Sequence, residues 1–442
     1  MRRSGWIAAS ALALIAAPVA ARSDPAAQRA AVDAQFAKAW PGLEALYRDI
    51  HQHPELAFQE QRTAGVLAAR LRELGFEVSE GVGKTGVVGV LRNGPGPVVL
   101  LRTELDGLPM EEKTGLPYAS RAQQESGGKL GFVAHSCGHD VHMAWWIGAA
   151  GALAAMKGQW HGTLVMVAQP AEEVVSGAKA MLADGLYTKF PRPDYAFAAH
   201  VGPDTAGKVT IKEGYATSAS DAVKIVFHGQ GAHGSMPDKS IDPVVMGARF
   251  VTDVQSVVSR QKDPMKFGVI TVGAFHAGTV GNIIPDEAEL LLTVRSYDPQ
   301  VRAQLLEGID VTAKASALMA KAPPPEVVHR YGTSSVSNEA GLSARSAQVL
   351  TRALGQPRVV LIPASEPGWT ASEDYSEFAE GGKVHSVYFS IGGTLPAVEA
   401  KYKAEGKPVP VNHSPFFAPD PEISIRTGME TLVLAALMVA GK

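Results

Sequence analysis

The stretch Val98-Val99-Leu100-Leu101-Arg102-Thr103-Glu104-Leu105-Asp106-Gly107-Leu108-Pro109 decides how this chain is read. Its opening apolar run is short and unbroken by polar residues, which describes a strand buried on both faces. That strand leads directly into two carboxylates. The same order recurs twice more: Leu164–Ala168 leads into Gln169-Pro170-Ala171-Glu172-Glu173, and Tyr195–Ala199 leads into His200. Val384–Ile391 is another such run, and helical stretches such as Met143–Met156 lie between them. Buried strands alternating with helices predict an α/β fold, a mostly parallel sheet wrapped by helices. In open sheets of this kind functional groups gather outside the carboxyl ends of the strands. Ala26–Leu74 reads as a helical lead-in that Gly75 stops.

Between Thr217 and Val328 the texture changes. Asp221–Phe227 alternates like a half-exposed strand, Asp242–Arg260 is amphipathic at helical spacing, and Phe267–Gly273 and Ala288–Ser296 read as strands before a helix over Pro299–Ala320. The order β-α-β-β-α, with room for one more strand, predicts a ferredoxin-like α+β unit inserted into the larger domain. The expected division is catalytic domain over 22–216 and 329–442, with the insertion at 217–328.

A chain of 442 residues is too long for one ordinary core. With 46% hydrophobic and 19% charged residues, a net charge of −3 and no basic tract, it has no footprint for nucleic acid. Arg2 and Arg3, an apolar stretch from Trp6 to Ala17, then Pro18-Val19-Ala20-Ala21 follow the order of a secretory signal peptide over residues 1–21. The expected address is periplasmic or secreted, with a retained N-terminal anchor as the alternative. No other segment reads as apolar and long enough to span a bilayer, so no membrane contact is expected after signal removal.

His135-Ser136-Cys137-Gly138-His139-Asp140-Val141-His142 concentrates three imidazoles, a thiol and a carboxylate, and Cys137 is the one cysteine of the chain. A thiol two residues from an imidazole, with acids nearby, suits a transition metal. A small buried thiol is the plain alternative, as a solvated turn is for Glu172-Glu173 alone. Three strand ends carrying acids or imidazole are more specific than any one of these features.

These motifs, together with His51-Gln52-His53-Pro54-Glu55, Gly231-Ala232-His233, Gly281-Asn282-Ile283-Ile284-Pro285-Asp286, Ser372-Glu373-Asp374-Tyr375 and Asn412-His413-Ser414-Pro415, run in order over about residues 40–425. In them the chain resembles the metal-dependent amidohydrolase and peptidase family of hippurate hydrolase, indole-acetyl-amino-acid hydrolases and, more distantly, aminoacylase and carboxypeptidase G. The resemblance implies a zinc-exopeptidase-like catalytic domain and an inserted lid that also serves dimerisation, hence a homo-oligomer. It also implies two divalent metal ions held by Cys137, His139, Glu173, His200 and His413, with the thiolate bridging. Zinc or manganese leads on the donor set, with cobalt and nickel open.

By the same resemblance Glu172 is general base and acid, Asp106 orients a ligand imidazole, and His233 is the lid histidine that polarises the scissile carbonyl. Asn282 and Arg295 would meet the substrate's carboxylate or carbonyl. A loop histidine for His233 and a surface ion pair for Arg295 are the alternatives. Asp140 is read as a support like Asp106, and His51, His53, His135 and His142 as hydrogen-bonding neighbours of the site. Glu104 stands where the family usually has Asp. The expected reaction is hydrolysis of the amide of an N-acyl or aryl-acyl amino acid by metal-activated water. A dipeptidase or carboxypeptidase on short peptides, and an inactive binding protein, are the other readings.

Overall fold

The computed structural model describes residues 24–442, so the expected signal peptide lies outside the described residues. An eight-stranded sheet carries the candidate site. Its order is Glu77–Val82, Gly86–Asn93, Gly162–Gln169, Val98–Glu104, Tyr195–Thr205, His385–Thr394, Val209–Lys212, Val359–Ile362. The four central strands are mutually parallel, whereas Gly86–Asn93 and Val209–Lys212 run against their central neighbours. The sheet is thus mixed, mostly parallel and flanked by helices. All four apolar runs found in the sequence are these central strands, and burial on both faces is why they read as unbroken.

One face packs against helices Pro25–Gln52, His139–Ala155 and Pro421–Ala440. Trp146 is fully buried there, and its Nε1–H donates to the Leu101 carbonyl at 2.9 Å, fastening helix to strand. A smaller core around Met181, Tyr375 and Phe378 covers the other face. Pro421–Ala440 corrects the expectation that nothing beyond the N-terminus could span a bilayer. By length and composition it could, but 83% of its apolar window is buried inside the protein. It is apolar all round because protein surrounds it.

The helical lead-in is also two helices rather than one, Pro25–Gln52 and Gln61–Glu73. Pro54 disfavours the α conformation at the residue before it, and His53 leaves the helix at φ −128°.

The insertion is one antiparallel sheet in the order Gly268–Ala277, Glu287–Ser296, Ala219–His228, Glu326–Thr333. Helices Pro243–Asp253 and Pro299–Met319 share a core with it. This is the ferredoxin-like βαββαβ arrangement. Its last strand stays paired as far as Thr333, opposite Ser220, so the inserted sheet runs past the boundary expected at 328. The two connections to the catalytic domain, Gly214–Tyr215 and Ser337–Asn338, pair with each other.

His51, in the last turn of the N-terminal helix, sits between two buried carboxylates. Its Nδ1 is 2.6 Å from Asp140 Oδ2 and its Nε2 is 3.2 Å from Glu112 Oε1. Burial opposes the imidazolium, but hydrogen bonds to Asp140 and Glu112 overcome it and lift the pKa from 6.5 to about 9. A histidine raised in the folded state adds stability that is complete below its unfolded pKa and fades as pH rises through the folded one. His51→Gln should therefore destabilise more at pH 6 than at pH 10, with a gap on the order of 3 kcal/mol in urea unfolding. An equal loss at both pH values would contradict this clamp.

Candidate metal centre

The carboxyl ends of three parallel strands meet the first turn of one helix. Asp106 follows Val98–Glu104, Glu172 and Glu173 follow Gly162–Gln169, and His200 lies within Tyr195–Thr205. Cys137 and His139 open the helix His139–Ala155. Gly138 between them has φ 90°, and a Cβ there would lie 2.4 Å from Val201 Cγ1, so the turn accepts only glycine. His413 reaches in from the loop before the C-terminal helix. Its own φ is 66°, and Asn412 steadies the loop by donating from Nδ2 to the carbonyls of Cys137 and Val201, each at 3.0 Å.

The donor atoms of Cys137, His139 and His200 lie within 4.8 Å of one another, and so do those of Cys137, Glu173 and His413. Two three-donor groups thus share one sulfur. Cys137 Sγ is 3.4 Å from His200 Nε2, and His413 Nε2 is 3.3 Å from Glu173 Oε2. His139 donates from Nδ1 to the Asp106 main-chain carbonyl at 2.7 Å, and His200 from Nδ1 to the Val201 carbonyl at 2.8 Å. These bonds select the tautomer whose Nε2 keeps its lone pair for a metal.

The donor set fits divalent cations. Among the described residues His139 Nε2 and Glu173 Oε1 are buried with no hydrogen-bond partner, an expensive arrangement unless something else binds them. Burial, then neighbouring carboxylates, pushes the Cys137 thiol and the Glu172 carboxyl well up, and burial lifts Glu173 to about 7. Burial, then His142, drops His200 to about 3. Burial opposes the imidazolium of His139, but Asp106 and the nearby glutamates lift it to about 10; acids that draw in positive charge this way suit a dication, which reverses this pKa logic.

Around this core some expected roles change. Asp106 meets His139 twice: its carbonyl takes the Nδ1 hydrogen bond, and its nearest carboxylate oxygen is 3.6 Å from the same nitrogen. That carboxylate also accepts the backbone N–H groups of Glu172 at 3.1 Å and Glu173 at 3.0 Å, holding their turn. Asp140 serves His51 rather than a ligand histidine. His142 accepts from Val201 N–H at 2.9 Å through Nε2, leaving Nδ1 to donate to Glu104 at 2.9 Å. The unusual Glu104 is therefore a support for His142. His135 is buried with neither ring nitrogen bonded among the described residues, and His53 is exposed, bonded to the Asp49 carbonyl.

A cavity of about 730 Å3 takes in Cys137, Glu172, Glu173, His200, His413 and, from the insertion, Arg295. Arg295 Nη1 donates to Ser220 Oγ and Thr293 Oγ1, both at 2.6 Å. His233 and Asn282 do not line this cavity. They lie together on the insertion, where Gly234 N–H bonds to the Asn282 carbonyl, and His233 Nδ1 accepts from Ser235. Sequence reasoning missed Trp369, Tyr388 and Ser220, which also line the cavity. Such residues are common in any core or strand, whereas Ser372 and Glu373 beside them sat in a motif that could have flagged them.

The model of peptidase family M20/M25/M40 matches residues 100–418. Hippurate hydrolase of Campylobacter jejuni is 41% identical over 277 residues, which is 62% of this chain and 70% of that protein. Thermostable carboxypeptidase 1 of Saccharolobus solfataricus is 38% identical over 262 residues, covering 58% and 64% respectively. The crystal structure of a dinuclear metal binding peptidase of the M20 family from Bacillus subtilis superposes with TM-score 0.71 at 27% identity, covering 92% of this chain and 99% of that one. The chain belongs to peptidase family M20/M25/M40 and is a metal-dependent amidohydrolase.

Proposed function

We propose that this enzyme hydrolyses the amide bond of N-acyl or aryl-acyl amino acids at a dinuclear site, with zinc or manganese ahead of cobalt and nickel. The observation that carries the reading is the pair of donor groups sharing the Cys137 sulfur, with Glu172 beside them in one cavity. His139 and His200 would serve one cation, Glu173 and His413 the other, and Cys137 both. The bound cations would polarise the amide carbonyl and make water easier to deprotonate.

Glu172 takes the proton from the attacking water and passes it to the leaving nitrogen, for which its place in the cavity beside the donor groups suits it. Asp106 keeps Glu172 and Glu173 pointing apart by holding both of their backbone N–H groups. Arg295 is suited to the substrate's carboxylate by its place in the cavity wall. The likeness to hippurate hydrolase favours acyl amino acids, and the likeness to a carboxypeptidase keeps short peptides as the second reading.

His233 and Asn282, which lie on the insertion outside the lining of their own cavity, would serve a neighbouring copy. The exposed Met236, Val280 and Ile283 around them support a homo-oligomer. The signal-like N-terminus supports export to the periplasm or medium.

Glu172→Gln should lower turnover by about 10²–10⁴-fold with metal content unchanged. Cys137→Ala and His413→Ala should lower metal content together with rate, and full occupancy in both variants would remove the ligand assignment. Hippurate-like compounds assayed beside a dipeptide panel, with and without chelator, test the substrate class. Amino acid released from dipeptides alone would reverse the order of the two readings.

A further inference from the structure

Ser372-Glu373-Asp374 has been given no role so far, yet it closes a buried network behind the Glu172 turn. Arg102 is fully buried and grips Glu373 with two nitrogens, Nη2 to Oε1 at 2.7 Å and Nη1 to Oε2 at 3.1 Å. Its Nε donates to Gln169 Oε1 at 2.9 Å, and Nη1 also meets Glu104. Gln169 in turn donates from Nε2 to Asp374 Oδ1 at 2.6 Å, and Asp374 Oδ2 accepts the Ala178 N–H at 3.0 Å. Asp374 thus holds the chain on both sides of the turn that carries Glu172 and Glu173.

That turn needs holding. Ala171 has φ 51° and Val175 φ 45°, a left-handed conformation that residues with a Cβ keep only where their surroundings impose it. Glu172, Glu373 and Asp374 each bring an oxygen within 4.8 Å of the others. Arg102 offsets the two carboxylates of the motif, and Glu172 rests directly beside them. The segment is anchored beyond the network too. Tyr388 OH donates to Glu373 at 2.7 Å, Tyr297 OH to the Gly368 carbonyl at 2.6 Å, and Ser218 N–H to the Ala371 carbonyl at 2.8 Å.

We propose that Glu373 and Asp374, fixed by Arg102 and Gln169, are positioning residues that aim the Glu172 carboxylate into the cleft. The proposal rests on the reading of Glu172 as general base. In the metal-loaded enzyme, Asp374→Asn places a donor against either Gln169 Nε2 or the Ala178 N–H. It should lower kcat by about 10–100-fold, with KM within about threefold and with metal content unchanged.

In a Glu172→Gln background the same substitution should cost less than about twofold, because the group it aims is gone. An equal loss in both backgrounds, or a rise in KM alone, would overturn the proposal and leave the base assignment standing. Near-normal turnover of Glu172→Gln alone would instead sink that assignment, and this inference with it. Should Asp374→Asn lose metal or melt early, Gln169→Met removes the 2.6 Å bridge to Asp374 without changing charge, leaving only the longer 3.5 Å contact of Arg102 Nη2 with Asp374 Oδ1. It should show the same loss confined to kcat, and an unchanged kcat there counts against the proposal.

Discussion

Three acids, Cys137, Glu172 and Glu173, are buried together at the carboxyl edge of the sheet, and the rest of the molecule answers to the cost of putting them there. Buried anions without cations are expensive. His139 and His200 hold a proton on Nδ1 and offer Nε2 beside them, and two three-donor groups share the Cys137 sulfur. The first turn of the His139–Ala155 helix adds its dipole at the thiol. Such a site exists only if a parallel sheet brings distant strand ends to one edge, so the fold is the precondition of the chemistry.

Carboxylates do two different jobs here. Some are presented to the cavity, whereas others are spent on the backbone that carries the presented ones. Asp106 takes the N–H groups of Glu172 and Glu173, and Glu60 takes that of Ala171 at 2.8 Å. Asp374 takes that of Ala178. A turn strained at two residues is thereby held from several sides, which is how a short loop keeps a reactive side chain in place.

The insertion contributes differently. Its sheet has its own core, and paired connections at Gly214–Tyr215 and Ser337–Asn338 join it to the catalytic domain. Arg295 reaches the cavity wall from this unit while His233 and Asn282 face elsewhere. One inserted unit therefore offers residues both to its own cleft and at a separate surface.

The amino-acid sequence alone determined the layers and the chemical inventory. Double burial left unbroken apolar runs that marked the central strands, and alternation marked the inserted sheet. The resemblance carried by its motifs pointed to Cys137, His139, Glu173, His200 and His413 as candidate ligands. What only the tertiary structure decided was which partner each polar group takes. Asp106 supports a backbone turn as well as facing an imidazole, Asp140 belongs to His51, and Asp374 grips both sides of the Glu172 turn. Bonds to main-chain N–H groups leave no trace in residue type or spacing. Likewise the Pro421–Ala440 helix has a composition that fits a membrane or a core equally well, and only the protein packed around it settles which solvent it sees.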